Sequence, residues 1–215
     1  MEIDVKAVAE MLGVTDRRVR QLIESGDLPA RRAGGRLLVE ESLLPRSRPK
    51  TRPMSARIAW AFIDLLSGER PTGLSGSERA RLREKLRMLL ASPQPAEQLR
   101  SWLRMRDQVL RLSVAPPDVG AVRKDGRLVL SGISDGRSQL SAGDEVEGYV
   151  HPGDVASLKA DYLMAESRPV NVWLHVVERP IPHPAPLGLV IADLAGHNGP
   201  REDARVREML QRARW

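Results

Sequence analysis

Apolar residues open the chain at helical spacing. Val5, Val8, Ala9 and Leu12 fall three to four residues apart, and Gly13 follows the last of them as a C-terminal stop. Thr15 then stands where an N-cap belongs, ahead of a second periodic segment whose buried stripe is Val19, Leu22 and Ile23. Two helices joined across Gly13-Val14-Thr15 are the sequence form of a helix-turn-helix. Beyond Ser25–Pro29, the run Ala30–Val39 predicts two short extended arms around the Gly34-Gly35 turn, a hairpin placed as a wing would be. A short closing helix is expected at Glu41–Leu44.

The pattern then changes twice. Pro45–Pro53 carries three prolines and four basic residues and reads as a linker. Three helices follow: Ser55–Leu66, a segment from the capping box Ser75-Gly76-Ser77-Glu78 to Leu90, and Ala96–Arg106. Their buried stripes include Phe62, Ile63, Leu82, Leu86, Leu99 and Trp102, while Arg79, Arg83 and Arg87 share another face of the second helix. From there strands are expected at Val109–Val114, Leu128–Leu130, Val146–Val150, Asn171–Val177 and Leu187–Ile191. Helices are expected at Pro152–Met164 and at Pro200–Arg214, the latter capped by Asn198 or Gly199. The predicted fold class is α+β, in three parts: a winged helix-turn-helix at 1–45, a basic linker with an all-α segment at 46–107, and a mixed α+β domain at 108–215.

Charge sharpens this division. Residues 1–107 hold 21 Lys+Arg against 14 Asp+Glu, whereas residues 108–215 hold 13 against 14, so the excess behind the net charge of +6 lies in the front half. That excess favours a polyanionic partner. Only seven aromatic residues in 215 argue against binding single strands by base stacking. The absence of cysteine excludes thiol nucleophiles and Cys-based zinc or iron–sulfur sites. No apolar run approaches the roughly 20 residues of a membrane span, and the start lacks the layout of a signal peptide; a cytoplasmic protein is expected.

With Val19, Leu22 and Ile23 turned inward, Arg17, Arg18, Arg20 and Gln21 must project outward, and Thr15 and Asp16 sit at the helix N-terminus, where backbone amides meet phosphate. Arginine reads guanine and glutamine reads adenine in the major groove. Arg31, Arg32 and Arg36 on the wing suit phosphate or minor-groove contact. The stretch VKAVAEMLGVTDRRVRQLIESGDLPARRAGGRLLVEESLL resembles the winged helix-turn-helix of the excisionase and MerR-like families. The resemblance implies double-stranded DNA as ligand, with those nine residues as the contact set.

The back half shows no G-x-S-x-G elbow, no phosphate loop ending in Lys-Ser/Thr and no His-Glu-x-x-His. His151, His175, His183 and His197 lack ligand spacing, so no metal, cofactor or catalytic residue is assigned. The segments GDEVEGYVHPGDVASLKADYLM, NVWLHVV and DLAGHNGPREDARVREML look like the C-terminal domain of abortive-infection antitoxins of the AbiEi group, in the type IV toxin–antitoxin class. That resemblance implies a non-catalytic antitoxin that represses its own promoter beside a nucleotidyltransferase toxin; self-association or paired binding on DNA is expected because a small winged module buries limited surface. Two alternatives remain at this stage. One is a divergent Mg-dependent nucleotidyltransferase using Asp144, Glu145, Glu147 and Glu178, although Gly132-Ile133-Ser134 departs from that enzyme's phosphate turn. The other is a MerR- or excisionase-like regulator outside toxin–antitoxin systems.

Overall fold

A computed structural model describes residues 2–12, 15–24, 28, 30–34, 36–40, 52–141 and 143–213. The chain forms two compact units, Met1–Lys50 and Thr51–Trp215.

In the first unit, β1 (Glu2–Asp4) leads directly into α1 (Val5–Leu12), followed by α2 (Asp16–Glu24), β2 (Arg31–Ala33) and β3 (Arg36–Glu40). Asp4 starts α1 by accepting the Ala7 amide at 2.8 Å, which satisfies one of the orphan donors of the first turn. Thr15 does the same for α2: its hydroxyl and carbonyl oxygens accept the Arg18 amide at 3.3 and 2.9 Å. The expected Val5, Val8, Ala9 and Val19 are buried, together with Leu28 and Val39, and Leu22 and Ile23 pack against them; the Leu12 side chain lies outside the described ones. The expected hairpin forms with Arg32 opposite Leu37, and Gly34 supplies φ +55° at its turn. The strand β1, too short to carry a pattern, pairs with the other edge of β3 and closes a three-stranded sheet. The predicted Gly13-Val14 turn, the Glu41–Leu44 helix and most of the linker lie outside the described residues.

The second unit holds α3 (Ala56–Leu66), α4 (Gly76–Leu90), α5 (Pro95–Leu103), β4 (Gln108–Leu112), α6 (Val119–Val122), β5 (Val129–Leu130), β6 (Val146–Val150), α7 (Val155–Asp161), β7 (Val172–Val176), α8 (Leu187–Gly196) and α9 (Pro200–Arg212). The capping box is present as expected, with Ser75 and Glu78 each accepting the other's backbone amide. The four strands run in the order β4-β7-β6-β5; β7 is parallel to β6, and the two outer pairings are antiparallel.

One expected strand is corrected. Leu187–Ile191 is the first half of α8, a helix buried on every side from Gly188 to Ala195. An apolar run without alternation fits a buried helix as well as a buried strand, and only packing separates them. The expected Pro152–Met164 helix is shorter, a 3-10 turn at Pro152–Asp154 leading into α7.

The pleat of the sheet divides this unit into two cores. Leu112, Val146, Val150, Val172 and Leu174 face α6 and α7 in one cluster. On the opposite face Tyr149 and Trp173 meet a larger cluster built from α3, α4, α5, α8 and α9. The three middle helices, expected as a segment of their own, share a core with the C-terminal helices, and α8 is buried on every side within it. Gly188 marks a close approach of α8 to α3: a Cβ there would lie 2.5 Å from the Ile63 carbonyl oxygen and 2.6 Å from the Ser67 hydroxyl. No described helix is long and apolar enough to cross a membrane.

Gly188→Ala is expected to lower the stability of this unit by about 1–3 kcal/mol through overpacking, whereas Gly126→Ala, with open space around it, should change little. Since all four tryptophans lie beyond residue 50, denaturation followed by tryptophan fluorescence reports this unit, and it should show a single transition spanning helices and sheet.

Candidate functional site

The outer face of α2 carries what the first unit has to offer a ligand. Thr15, Asp16, Arg17, Arg18, Arg20 and Gln21 are all exposed, while Val19 between them is fully buried. Arg18 donates to the Gln21 side-chain carbonyl at 3.2 Å, a pair one turn apart that fixes both side chains on the same outward strip. Arg17 and Arg20 make no hydrogen bond or ion pair among the described residues, so their guanidinium donors are free for an incoming group. On the wing Arg31 is exposed on β2. Arg32 and Arg36 occupy strand positions either side of the turn, and their side chains lie outside the described ones.

Residues 3–44 match the family described as a helix-turn-helix domain. The N-terminal unit is therefore a helix-turn-helix, the module of a DNA-binding regulator. No curated protein and no solved structure matches the chain.

A second concentration of chemistry lies in the other unit, on the helical face of the sheet. Alternate residues of β6 and β7 stand there side by side: Glu147 beside Trp173 and Tyr149 beside His175. Strand β4 continues both rows with Arg111 beside Trp173 and Val109 beside His175. His175 is 3% exposed and bonded at both ring nitrogens, Nδ1 to Asp107 Oδ2 at 2.8 Å and Nε2 to Glu147 Oε1 at 3.1 Å. A carboxylate only accepts, so both nitrogens must donate and the ring is an imidazolium. It stacks on Tyr149 with centroids 4.7 Å apart.

Glu147 sits at the centre. Its Oε2 accepts from His197 Nε2 at 2.9 Å and from the Ile133 amide at 3.0 Å. The turn that presents that amide has Gly132 at φ +51°, and a Cβ there would lie 1.6 Å from Oε2; only glycine lets the backbone close over the carboxylate. Asp193 of α8 accepts from the Tyr149 hydroxyl at 3.0 Å, from Ser131 and from Arg106, which also holds Asp107.

Burial opposes charge at every member, and the partners decide the result. For Glu147 burial alone would raise the pKa, but the donors His175 and His197 outweigh it and hold the carboxyl well below its usual range. For His175 burial would favour the neutral ring, yet Asp193, Asp107 and Glu147 raise it to about 10. Burial pushes the Asp193 carboxyl up, opposed by His175 and Arg106. Glu147, His175 and Asp193 place one ligand atom each within 4.8 Å, a geometry able to hold a divalent ion. Arg106 on Asp193 and the charge on His175 already supply the positive charge such an ion would bring.

Of the acidic residues singled out from sequence, only Glu147 belongs to the group of potential ligand atoms found among the described residues. Glu147 is buried in this cluster, Glu145 is half-buried, and Asp144 and Glu178 are exposed. Sequence reasoning missed His175 and His197 as partners of Glu147, and Arg106, Asp107 and Asp193 as the further members of the cluster. The available signal was a polar residue at alternate positions inside otherwise apolar strands, V-E-G-Y-V and V-W-L-H-V.

The cluster sets a pH dependence. His175 has a raised pKa in the folded chain, so its contribution to stability is complete below the ordinary value of 6.5 and is lost as pH climbs toward about 10. Glu147 contributes above 4.5 and loses that contribution as pH falls further. Thermal melts of the second unit should therefore peak at mildly acidic pH and decline on the alkaline side, and His175→Gln should lower the melting temperature and flatten the alkaline decline.

Proposed function

We propose that the protein is a transcriptional autoregulator that binds double-stranded DNA at its own promoter and serves as the antitoxin of a type IV toxin–antitoxin system. The observation that carries the DNA half is the open Arg17, Arg18, Arg20 and Gln21 face of the second helix of a helix-turn-helix. Such a helix enters the major groove with its N-terminal residues against base edges. Thr15 and Asp16 lie at the helix start, where backbone amides approach a phosphate, and Arg31, Arg32 and Arg36 on the wing fix register. A module of this size buries limited surface, so useful specificity calls for two copies on two half-sites and hence self-association on DNA.

The antitoxin half rests on the resemblance of residues 110–212 to the AbiEi group. In this reading the second unit antagonises a nucleotidyltransferase toxin and performs no catalysis itself. The compensated state of Glu147, held by two imidazoles and a backbone amide, agrees with a non-catalytic role for that carboxylate.

Binding of a promoter fragment, followed by fluorescence anisotropy, should weaken about a thousandfold between roughly 50 and 200 mM salt if about six phosphates are neutralised. Arg18→Ala and Arg20→Ala should each weaken it by about tenfold with the melting temperature unchanged. A flat salt response, or unchanged affinity with both replaced, overturns the assignment of this face. For the antitoxin half, induction of the neighbouring nucleotidyltransferase gene should arrest growth, and co-expression of this chain should restore it. Unrelieved arrest, or no such gene beside this one, overturns that half and leaves the DNA measurement standing.

A further inference from the structure

The charged cluster floors a cleft of about 420 Å³ between the sheet and the ends of α5 and α8. We propose that this cleft binds a small planar organic anion of the nucleoside monophosphate class. The inference is independent of the DNA-binding reading, since every residue involved belongs to the second unit.

The floor cross-links the fold, but stability does not require that the cross-link be charged or that it line an opening. Replacing a buried set of ion pairs by well-packed apolar residues is commonly neutral or stabilising, so a charged set lining an opening is a candidate for recognition. The composition of the walls says what is recognised. Arg111, Trp173 and Glu147 are neighbours in one row across β4, β7 and β6, with strands about 5 Å apart. The row thus runs from an exposed guanidinium, past a half-buried indole, to a buried carboxylate.

Four arginines line the cleft, and they divide into two kinds. Arg106 is tied to Asp107 and Asp193, and Arg100 to Asp203 and the Ala195 carbonyl. Arg104 and Arg111 are exposed and have no hydrogen bond or ion pair among the described residues. Two unpaired guanidiniums lining one cleft match a doubly charged phosphate monoester, to which an arginine can donate in a bidentate fork. Trp173, in edge-to-face contact with His197 with centroids 5.0 Å apart, provides an aromatic wall for a flat ring. His197 and Asn198 add polar groups at the same wall. The volume lies within the usual range of about 300–1,000 Å³ for small-ligand sites and is far too small for a folded segment or a duplex.

The test uses the full chain and titrates AMP, GMP, CMP and UMP by calorimetry, with inorganic phosphate and the parent nucleosides as the separated halves. At least one monophosphate should bind more tightly than phosphate and than its own nucleoside. Arg111→Gln should weaken it by about tenfold, the loss of one charge-assisted contact. Trp173→Leu should abolish the advantage of nucleotide over phosphate, and Trp173→Phe should restore part of it. Circular dichroism and melting temperature establish that each variant is folded; should Trp173→Leu not fold, Trp173→Phe and Arg111→Gln decide the matter. No binding at millimolar ligand, equal binding of phosphate and nucleotide, or affinity unmoved by Arg111→Gln would overturn the proposal. Promoter binding measured on the same preparations keeps its failure separate from that of the DNA reading.

Discussion

A buried imidazolium organises the larger part of this molecule. His175 donates in opposite directions, to Asp107 just before β4 and to Glu147 on β6, and lies 3.7 Å from Asp193 on α8. One side chain thereby ties the sheet to the helical layer through charge. Each carboxylate is tolerable inside the protein only because the others' partners are present, and removing one member strands the rest in a low-dielectric interior. Gly132 belongs to the same constraint, since the backbone must come close enough to give Glu147 the Ile133 amide.

The sheet around this network is two-faced in an unusual sense. Both faces are covered over most of their extent; one is apolar against α6 and α7, and the other is mixed, with Tyr149 and Trp173 adjoining a hydrophobic cluster, Glu147 and His175 forming the charged floor beside it, and Val109 and Arg111 exposed at the β4 edge. Covering that second face requires α3, α4 and α5 as well as α8 and α9. The helices that precede the strands in sequence are consequently part of the strands' own core, and the cleft lies at the margin of this layer, where the helical cover stops.

The N-terminal unit follows a simpler economy. Six of its described residues are buried in the core, and its exposed arginine and glutamine face costs nothing in folding because those side chains are at home in water. The open polar face and the core there use opposite sides of the same helix. In the second unit the same residues do both, since the groups that floor the cleft also cross-link the fold.

That difference explains what could be read without coordinates. The helix-turn-helix was legible down to the N-cap Thr15, the stripe Val19, Leu22 and Ile23 and the outward arginines, because helical periodicity is local and a one-sided burial pattern has only one solution. The α+β class, the capping box at Ser75 and the strands Val146–Val150 and Val172–Val176 were legible for the same reason. The helical state of Leu187–Ile191 was not, as a segment buried all round leaves no periodic trace. Nor was the cluster: Asp107, Glu147, His175, Asp193 and His197 are spread over some 90 residues, and nothing in their local sequence says that they meet. The chain by itself determined which faces of its elements avoid water. Only the tertiary structure decided which buried charges face one another, because that depends on strand order and helix packing, and neither is a local property of sequence.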